Sequence, residues 1–176
     1  AKEKGIFSVE IHIFTDGSET EPTSAAGYLK ELEDVLAEVE IGFIATVAGR
    51  FFAMDRDSNW DRLAKTEQAM FHCKGNVCQI KDVKVSDHVE ALYKEGTKDE
   101  FLEPIVCFDA DGKGCRVEKN DAIFFFNFRA DRARMLSQKI LERAGEDNIC
   151  FVTLTEYNAV FKCLVAFPAI KIDATI

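Results

Sequence analysis

The fold is decided by the sequence FFFNFRADRAR at residues 124–134, in which an apolar run leads directly into three arginines. Residues 122–126 are apolar without alternation, which is typical of a strand covered on both faces in a parallel sheet. Asp131 is predicted to cap the helix that follows, because apolar residues recur at helical spacing beyond it. Arg129 and Arg132 then share one helix face at the carboxyl end of a strand, where open α/β sheets bind ligands.

This arginine pair predicts an anion site, because a planar guanidinium binds carboxylate or phosphate through two hydrogen bonds at once. The alternative is that Arg129 and Arg132 pair with Asp131 or with nearby glutamates on a solvated surface.

Two further predicted strands end in a similar way. Residues 41–47 form a β-rich apolar run that is soon followed by two arginines, and residues 7–14 lead into a turn at Gly17. We therefore expect Gly17, Arg50 and Arg129 to lie along one edge of a single sheet. Four guanidinium groups should converge there on one cleft and, without a ligand, recruit carboxylates such as Asp55 and Asp131. The four arginines are Arg50, Arg56, Arg129 and Arg132.

Seven segments carry a family resemblance, and they occur in the family's order. They read HIFTDG (12–17), GYLKEL (27–32), IATVAGRFFAMDRD (44–57), WDR (60–62), DEF (99–101), NFRADRA (127–133) and TLTEY (153–157). Together they resemble the phosphotransferase domain of the 2,3-bisphosphoglycerate-independent phosphoglycerate mutases along nearly the whole chain.

The resemblance implies a function and a domain organisation. The same four arginines would hold phosphoglycerate in a cytoplasmic enzyme of glycolysis and gluconeogenesis that interconverts 3- and 2-phosphoglycerate. Residues 1–176 would be one phosphotransferase domain excised from a larger enzyme, and residues 1–5 read as the tail of a preceding helix. The missing phosphatase-like domain would carry the nucleophilic serine and two manganese ions. This chain would then need no cofactor and would be inactive alone.

The chain departs from the family at residues 18 and 19. The family pattern is Asp-Gly-Arg-Asp, whose last two residues contact substrate and whose second aspartate is a proton-transfer group. Ser18 and Glu19 stand at these positions, so Ser18 is a candidate substrate contact and Glu19 a candidate catalytic residue. A compensating cation, such as Lys2 or Lys4, is one alternative. Another is that the chain is a non-catalytic anion-binding relative, and a third is a module without a ligand.

Composition indicates one compact domain, and the predicted strands and helices, together with the resemblance, lead us to expect an α/β fold with a mostly parallel central sheet in three α/β/α layers. The 176 residues are 47% hydrophobic and 30% charged, enough for one sizeable core. A net charge of −9 repels nucleic acid, and no apolar run approaches the ~20 residues that a membrane span needs. The six cysteines are expected to be reduced, with Cys107, Cys150 and Cys163 buried, and metal binding near Cys73 and Cys78 is disfavoured.

The remaining elements are predicted coarsely. Three helices are expected. The first covers residues 22–40, the second begins after an N-cap at Ser58, and the third covers residues 83–94 and ends before Gly96. Residues 105–108 and 115–117 should form a β-hairpin. Short strands are expected at residues 151–154 and 164–167, the first ending in Thr155, Glu156 and Tyr157, which add polar groups to the rim of the site.

Overall fold

The computed structural model describes residues 2–6, 8–108 and 116–168. Contacts between Cα atoms divide the chain into two compact units. Unit 1 contains Ala1–Asp55 and Asn59–Val117, and unit 2 contains Arg56–Ser58 and Glu118–Ile176. The elements in chain order are β1 (Glu10–Thr15), α1 (Ala25–Val39), β2 (Phe43–Gly49), α2 (Arg50–Ala53), α3 (Trp60–His72), β3 (Asn76–Gln79), α4 (Val85–Lys94), β4 (Ile105–Phe108), β5 (Ala122–Phe125), α5 (Ala130–Asp147), β6 (Cys150–Thr155) and β7 (Leu164–Phe167).

Unit 1 is built on a four-stranded sheet in the order β1-β2-β4-β3, in which only the β2–β4 pairing is antiparallel among the described strands. Helices α1 and α4 pack against each other over one face, and the buried cluster there includes Leu29, Val89 and Ile105. Helix α3 contacts β2 and β4 and buries Leu63 and Met70 outside that cluster. Helices therefore cover both faces of this sheet.

Unit 2 contains a three-stranded, all-parallel sheet in the order β5-β6-β7. Helix α5 contacts β6 and buries Ala133, Leu136 and Ile140. Phe125 and Phe151 are buried in this unit, with ring centroids 6.4 Å apart. The predicted fold class, an α/β structure with mostly parallel strands, is confirmed across the two units.

The expectation of one sheet edge for Gly17, Arg50 and Arg129 is wrong. Gly17 and Arg50 follow strands β1 and β2 of the first sheet, whereas Arg129 follows β5 of the second. An apolar run indicates a strand but does not specify its neighbour, because pairing is set by hydrogen bonds between distant parts of the chain.

Several local predictions also need correction. Helix α1 begins at Ala25 rather than at residue 22. Ser58 has a φ of 65° and does not cap α3, which begins at Trp60 after Asn59. The turn of the predicted hairpin lies outside the described residues. Strand β4 has β2 and β3 as its neighbours, and residues 116–117 are not in a strand.

The cysteine predictions hold only in part. The five cysteines in the described ranges are not joined in disulfides. Cys107 is buried as expected, but Cys163 is only partly buried and Cys150 is exposed, because it lies on the side of β6 away from Phe151. Within the described ranges, no helix combines the length and the apolar character needed to cross a membrane.

Candidate functional site

Strands β1 and β2 run in parallel and end side by side, with Thr15 opposite Gly49. The residue that follows each of these two strand ends is charged: Asp16 follows Thr15, and Arg50 follows Gly49. Arg50 donates a hydrogen bond to the Asp16 carboxylate, and the two form a salt bridge. The Arg50 side chain is 7% exposed and that of Asp16 is 27% exposed. The sheet register thus brings a cation and an anion together at one strand edge of unit 1.

Asp16 also holds the turn that contains two of the candidate site residues. Its Oδ1 accepts hydrogen bonds from the backbone amides of Ser18 at 3.2 Å and Glu19 at 3.3 Å. Desolvation raises the pKa of Asp16, but the hydrogen bonds from Arg50, Glu19 and Ser18 outweigh it and leave that pKa below its ordinary value. Ser18 and Glu19 are exposed. Their turn is therefore tied through one carboxylate to Arg50.

The short 3-10 helix Asp99–Phe101 lies directly against these two strand ends. The hydroxyl of Thr15 donates to the Asp99 carbonyl at 2.7 Å, and the Gly49 amide donates to the Leu102 carbonyl at 2.8 Å. A Cβ at Gly49 would lie 2.3 Å from the carbonyl oxygen of Glu100, so only glycine fits there. A Cβ at Gly17 would similarly lie 2.7 Å from the Glu100 amide nitrogen.

Asp99 is 1% exposed, and its carboxylate connects three elements of unit 1. It accepts hydrogen bonds from the amides of Ser24 and Ala25, both at 2.9 Å, and from the Tyr93 hydroxyl. Ser24 and Ala25 begin α1, so a residue about 75 positions away caps this helix. Sequence reasoning missed this role. The only available signal was the DEF segment, because a cap supplied from a distance leaves no local pattern.

A cavity of about 300 Å³ opens beside Asp16 and Asp99 in unit 1. Its walls are mainly apolar side chains from β1 and α1, including Phe14, Tyr28 and Leu29. A small ligand group could enter this space beside the turn formed by Ser18 and Glu19.

A second group of candidate residues lies in unit 2. Arg56 donates to Asp131 at 3.2 Å, and both side chains are about half exposed, at 52% and 46%. Arg129 precedes the first residue of α5, and Arg132 lies in its first turn. The hydrogen bond from Arg56 is the main cause that holds the pKa of Asp131 below its ordinary value. Asp131 lies in the first turn of α5, after the N-cap position, which Arg129 occupies. Its carboxylate pairs with Arg56 and also accepts a hydrogen bond from the backbone amide of Arg132, a contact of the kind predicted for it.

The turn between β5 and α5 is held by residues at the end of β6. The Tyr157 hydroxyl donates to the carbonyl oxygens of Phe125, at 3.0 Å, and Asn127. The Thr155 hydroxyl donates to the Phe128 carbonyl at 3.3 Å. Tyr157 is 2% exposed, and burial raises its pKa to about 12. Together these bonds fix the backbone that leads into Arg129.

Of the carboxylates expected to meet the arginines, Asp131 pairs with Arg56, while Asp55 pairs with a different arginine. Asp55 is 5% exposed and accepts from Arg62 at 3.5 Å and from both the backbone and side-chain nitrogens of Asn59. Arg62 also lies 4.0 Å from the centre of the Phe51 ring. These contacts hold the first residues of α3 in place, just after the segment that contains Arg56.

The structure thus distributes the six candidate residues over both units. Ser18, Glu19 and Arg50 are in unit 1, whereas Arg56, Arg129 and Arg132 are in unit 2. Within the described ranges, no three His, Cys, Asp or Glu side chains are grouped as a metal ion would require. His12 instead hydrogen bonds Thr46 at 2.9 Å inside unit 1.

Comparison with known proteins gives a consistent result. The family model for the BPG-independent PGAM N-terminus matches residues 1–159. The chain is 41% identical over 176 residues to the 2,3-bisphosphoglycerate-independent phosphoglycerate mutase of Francisella philomiragia. It is 40% identical over 177 residues to the enzyme of that name from Moorella thermoacetica. In these alignments 96% of the chain matches, but only 33% and 34% of the relatives. The chain therefore spans about a third of their length.

The fold is similar to a crystal structure of Leishmania mexicana phosphoglycerate mutase at low cobalt concentration. The TM-score is 0.77 with 22% sequence identity, over 89% of this chain and 31% of that protein. Taken together, the family match and the similarity to these relatives show that the chain belongs to the BPG-independent phosphoglycerate mutase N-terminal family.

Proposed function

We propose that this chain is the substrate-binding domain of a phosphoglycerate mutase that interconverts 3-phosphoglycerate and 2-phosphoglycerate without a bisphosphoglycerate cofactor. The main support is the family match over residues 1–159 together with the buried Arg50 at the strand edge of unit 1. The proposed setting is glycolysis and gluconeogenesis in the cytoplasm, whose reducing conditions suit cysteines that are not joined in disulfides.

The proposed ligand matches the chemistry of the candidate residues. Phosphoglycerate carries a phosphate and a carboxylate, and guanidinium groups bind both kinds of anion through paired hydrogen bonds. Arg56 and Asp131 form an exposed pair of little net stability, so a phosphate can displace the carboxylate at low cost. Arg50 is already held in place by Asp16, which reduces the entropy lost when it binds substrate.

In the proposed reaction, the alkoxide of a serine in a further domain attacks phosphorus, and the bond between phosphorus and the ester oxygen of the glycerate breaks. The leaving oxygen receives a proton, for which Glu19 is the proposed donor. The glycerate then turns, and its other hydroxyl gives its proton to the Glu19 carboxylate as its oxygen bonds phosphorus and the serine oxygen leaves as the alkoxide. The candidate arginines would neutralise charge and hold the glycerate during reorientation. The manganese ions expected for such an enzyme would belong to that further domain.

A second candidate function is anion binding without mutase activity. Ser18 favours it, because a neutral hydroxyl stands where the resemblance places an arginine and cannot neutralise a substrate carboxylate. The complete open reading frame separates the two functions. A mutase requires a phosphatase-like domain with its serine and metal ligands, and a frame without that domain would leave only anion binding.

Ligand binding is tested by titrating the chain with 3-phosphoglycerate while following backbone amide shifts by NMR. Guanidinium groups in a cleft open to water should give a Kd of roughly 1 mM, with the largest shifts near Arg129 and Arg132. Arg132→Ala should weaken binding, whereas Arg143→Ala, which removes the partner of Asp147 in the last turns of α5, should not. Unchanged spectra at tens of millimolar ligand, about ten times the expected Kd, would contradict substrate binding by this chain.

Catalysis is tested separately, because binding and turnover depend on different parts of the proposed enzyme. The purified chain should show no phosphoglycerate turnover, since the proposed serine nucleophile lies elsewhere. The Arg132→Ala variant, purified in parallel, is the control for contaminating phosphoglycerate mutase from the expression host. Turnover that disappears with Arg132→Ala would show that this chain carries its own catalytic groups, and would overturn the proposed division of roles.

A further inference from the structure

One face of the parallel sheet in unit 2 is apolar and uncovered. Side chains alternate along each strand, and the register places one set on a common face, which we call the open face. Phe124 and Leu164 are 52% and 61% exposed there, whereas Phe125 and Phe151 on the opposite face are 6% and 4% exposed. The open face consists mainly of Ala122, Phe124, Cys150, Val152, Leu154 and Leu164.

The connections within unit 2 cannot cover this face. β5 joins β6 through α5, and β6 joins β7 through residues 156–163, which contain no helix. Both connections link parallel strands and proceed in the same direction across the sheet. Right-handed crossovers of this kind lie on one side, which here is the side of α5. Any cover for the open face must therefore come from outside residues 118–168.

The composition of the open face resembles half of a protein core. Its six side chains carry no charge, and Phe124 stacks edge-on with the exposed Phe126 at a centroid distance of 5.8 Å. All-parallel sheets occur almost only with both faces covered, and large exposed apolar patches mark contact surfaces.

We propose that an amphipathic helix from another part of the same polypeptide packs on the open face. The chain matches only 33% of the length of its Francisella relative, so similar proteins contain about twice as much further sequence that could supply this helix. A second copy fits less well, because each copy carries a net charge of −9 and like charges oppose association. Within one domain, helices usually pack on the uncharged faces of a parallel sheet.

Cys150 provides a direct test, because its thiol lies on the open face and is exposed in this chain, whereas the Cys107 thiol is 0% exposed. The polypeptide encoded by the complete gene is treated under native conditions with N-ethylmaleimide, and each cysteine peptide is quantified by mass spectrometry against a sample labelled in denaturant. Cys150 should react at least about tenfold more slowly than in denaturant, like Cys107, because a packed helix must open first. This protection should not depend on protein concentration.

Two results would overturn the proposal. Rapid labelling of Cys150 while Cys107 stays protected would show that the face is open in the complete polypeptide. Protection that develops only as protein concentration rises would assign the face to a second copy. A variant pair adds an independent readout: Phe124→Ser should lower the denaturation midpoint of the complete polypeptide, whereas Val160→Ser, at a 76% exposed position off the sheet, should not. Equal midpoints for the two variants would also count against a packed helix.

Discussion

Arg50 and Asp16 form a salt bridge at the ends of neighbouring strands, with the Arg50 side chain almost fully buried. The Asp16 carboxylate also accepts hydrogen bonds from the backbone amides of Ser18 and Glu19. The ion pair therefore connects the Arg50 guanidinium to the turn that carries these two proposed substrate contacts. The Asp16–Arg50 pair therefore serves both stability and the shape of the proposed site.

Asp16→Asn should destabilise the chain by about 2–3 kcal/mol, because it leaves a buried guanidinium without its anionic partner. Glu103→Gln is the matched control. It removes the Lys65–Glu103 pair, whose side chains are 51% and 55% exposed, and should cost no more than about 0.5 kcal/mol. Urea denaturation monitored by circular dichroism measures both, and equal midpoints would show that the buried pair adds nothing. Because the pKa of Asp16 is lower in the folded chain than in the unfolded chain, the Asp16 carboxylate contributes its full stabilisation above pH 3.8. This stabilisation is lost as the pH falls further.

Gly49→Ala should be severely destabilising, by about 3 kcal/mol or more, because the new Cβ would lie 2.3 Å from one backbone oxygen and 2.6 Å from another. These atoms belong to Glu100 and Asp99, whose backbone cannot rotate away as a flexible side chain could. Gly27→Ala places the same methyl group in α1 with no atom within 4 Å and should instead stabilise by about 0.5–1 kcal/mol. Thermal unfolding should shift in opposite directions, and a neutral Gly49→Ala would refute the close approach.

Tyr157→Phe should loosen the turn before Arg129 while leaving the ring packed. The lost hydroxyl donates to two backbone carbonyls, so we expect a cost of about 1–2 kcal/mol. Amide shifts should be largest at residues 126–129. Tyr28→Phe, at a 61% exposed position of α1, should change the midpoint little. If residues 126–129 keep their shifts in Tyr157→Phe, this hydroxyl does not position the turn.

His12 should make stability depend on pH between neutrality and pH 4. Desolvation lowers its pKa from 6.5 to about 4 in the folded chain. The unfolded chain therefore binds more protons in this range, and stability is complete above about pH 6.5 and declines toward pH 4. The side chain is only partly shielded from solvent, so the loss should be about 1–2 kcal/mol. His12→Gln should flatten the pH profile relative to His88→Gln, a change on α4. Parallel profiles for the two variants would argue against a desolvated, neutral His12 in the folded chain.

Restoring the family residues with Ser18→Arg and Glu19→Asp should raise kcat/KM of the complete enzyme. An added cation that recovers about 1.4 kcal/mol of transition-state stabilisation gives roughly a tenfold gain. The single variants Ser18→Arg and Glu19→Asp separate the effect of the added cation from the effect of the shorter carboxylate. Ser18→Gln is the control for a longer side chain without charge. A fall in activity for Ser18→Arg would indicate that another cation already fills this position.

The sequence by itself determined the fold class, the family resemblance and most of the elements, because hydrophobic runs, helical spacing and glycine turns are local signals. Strand β2 ends at Gly49 and helix α5 begins at Ala130, so the arginines near those boundaries could be selected from spacing alone. It did not determine partners. Asp131 bonds the Arg132 amide of the first turn, as its position suggested, but its ion pair with Arg56 was not specified, and α1 is capped by the distant Asp99.

Only the tertiary structure decided which strands pair and which carboxylate meets which arginine. β5 joins β6 and β7 in a second sheet, while Asp16 reaches Arg50 because β1 and β2 lie in register. Neither relationship has a sequence signature, because hydrogen bonds between strands involve the backbone that all residues share. The exposure of Phe124 has the same origin: its apolar run predicts burial, but whether a face is covered depends on which distant segment packs there.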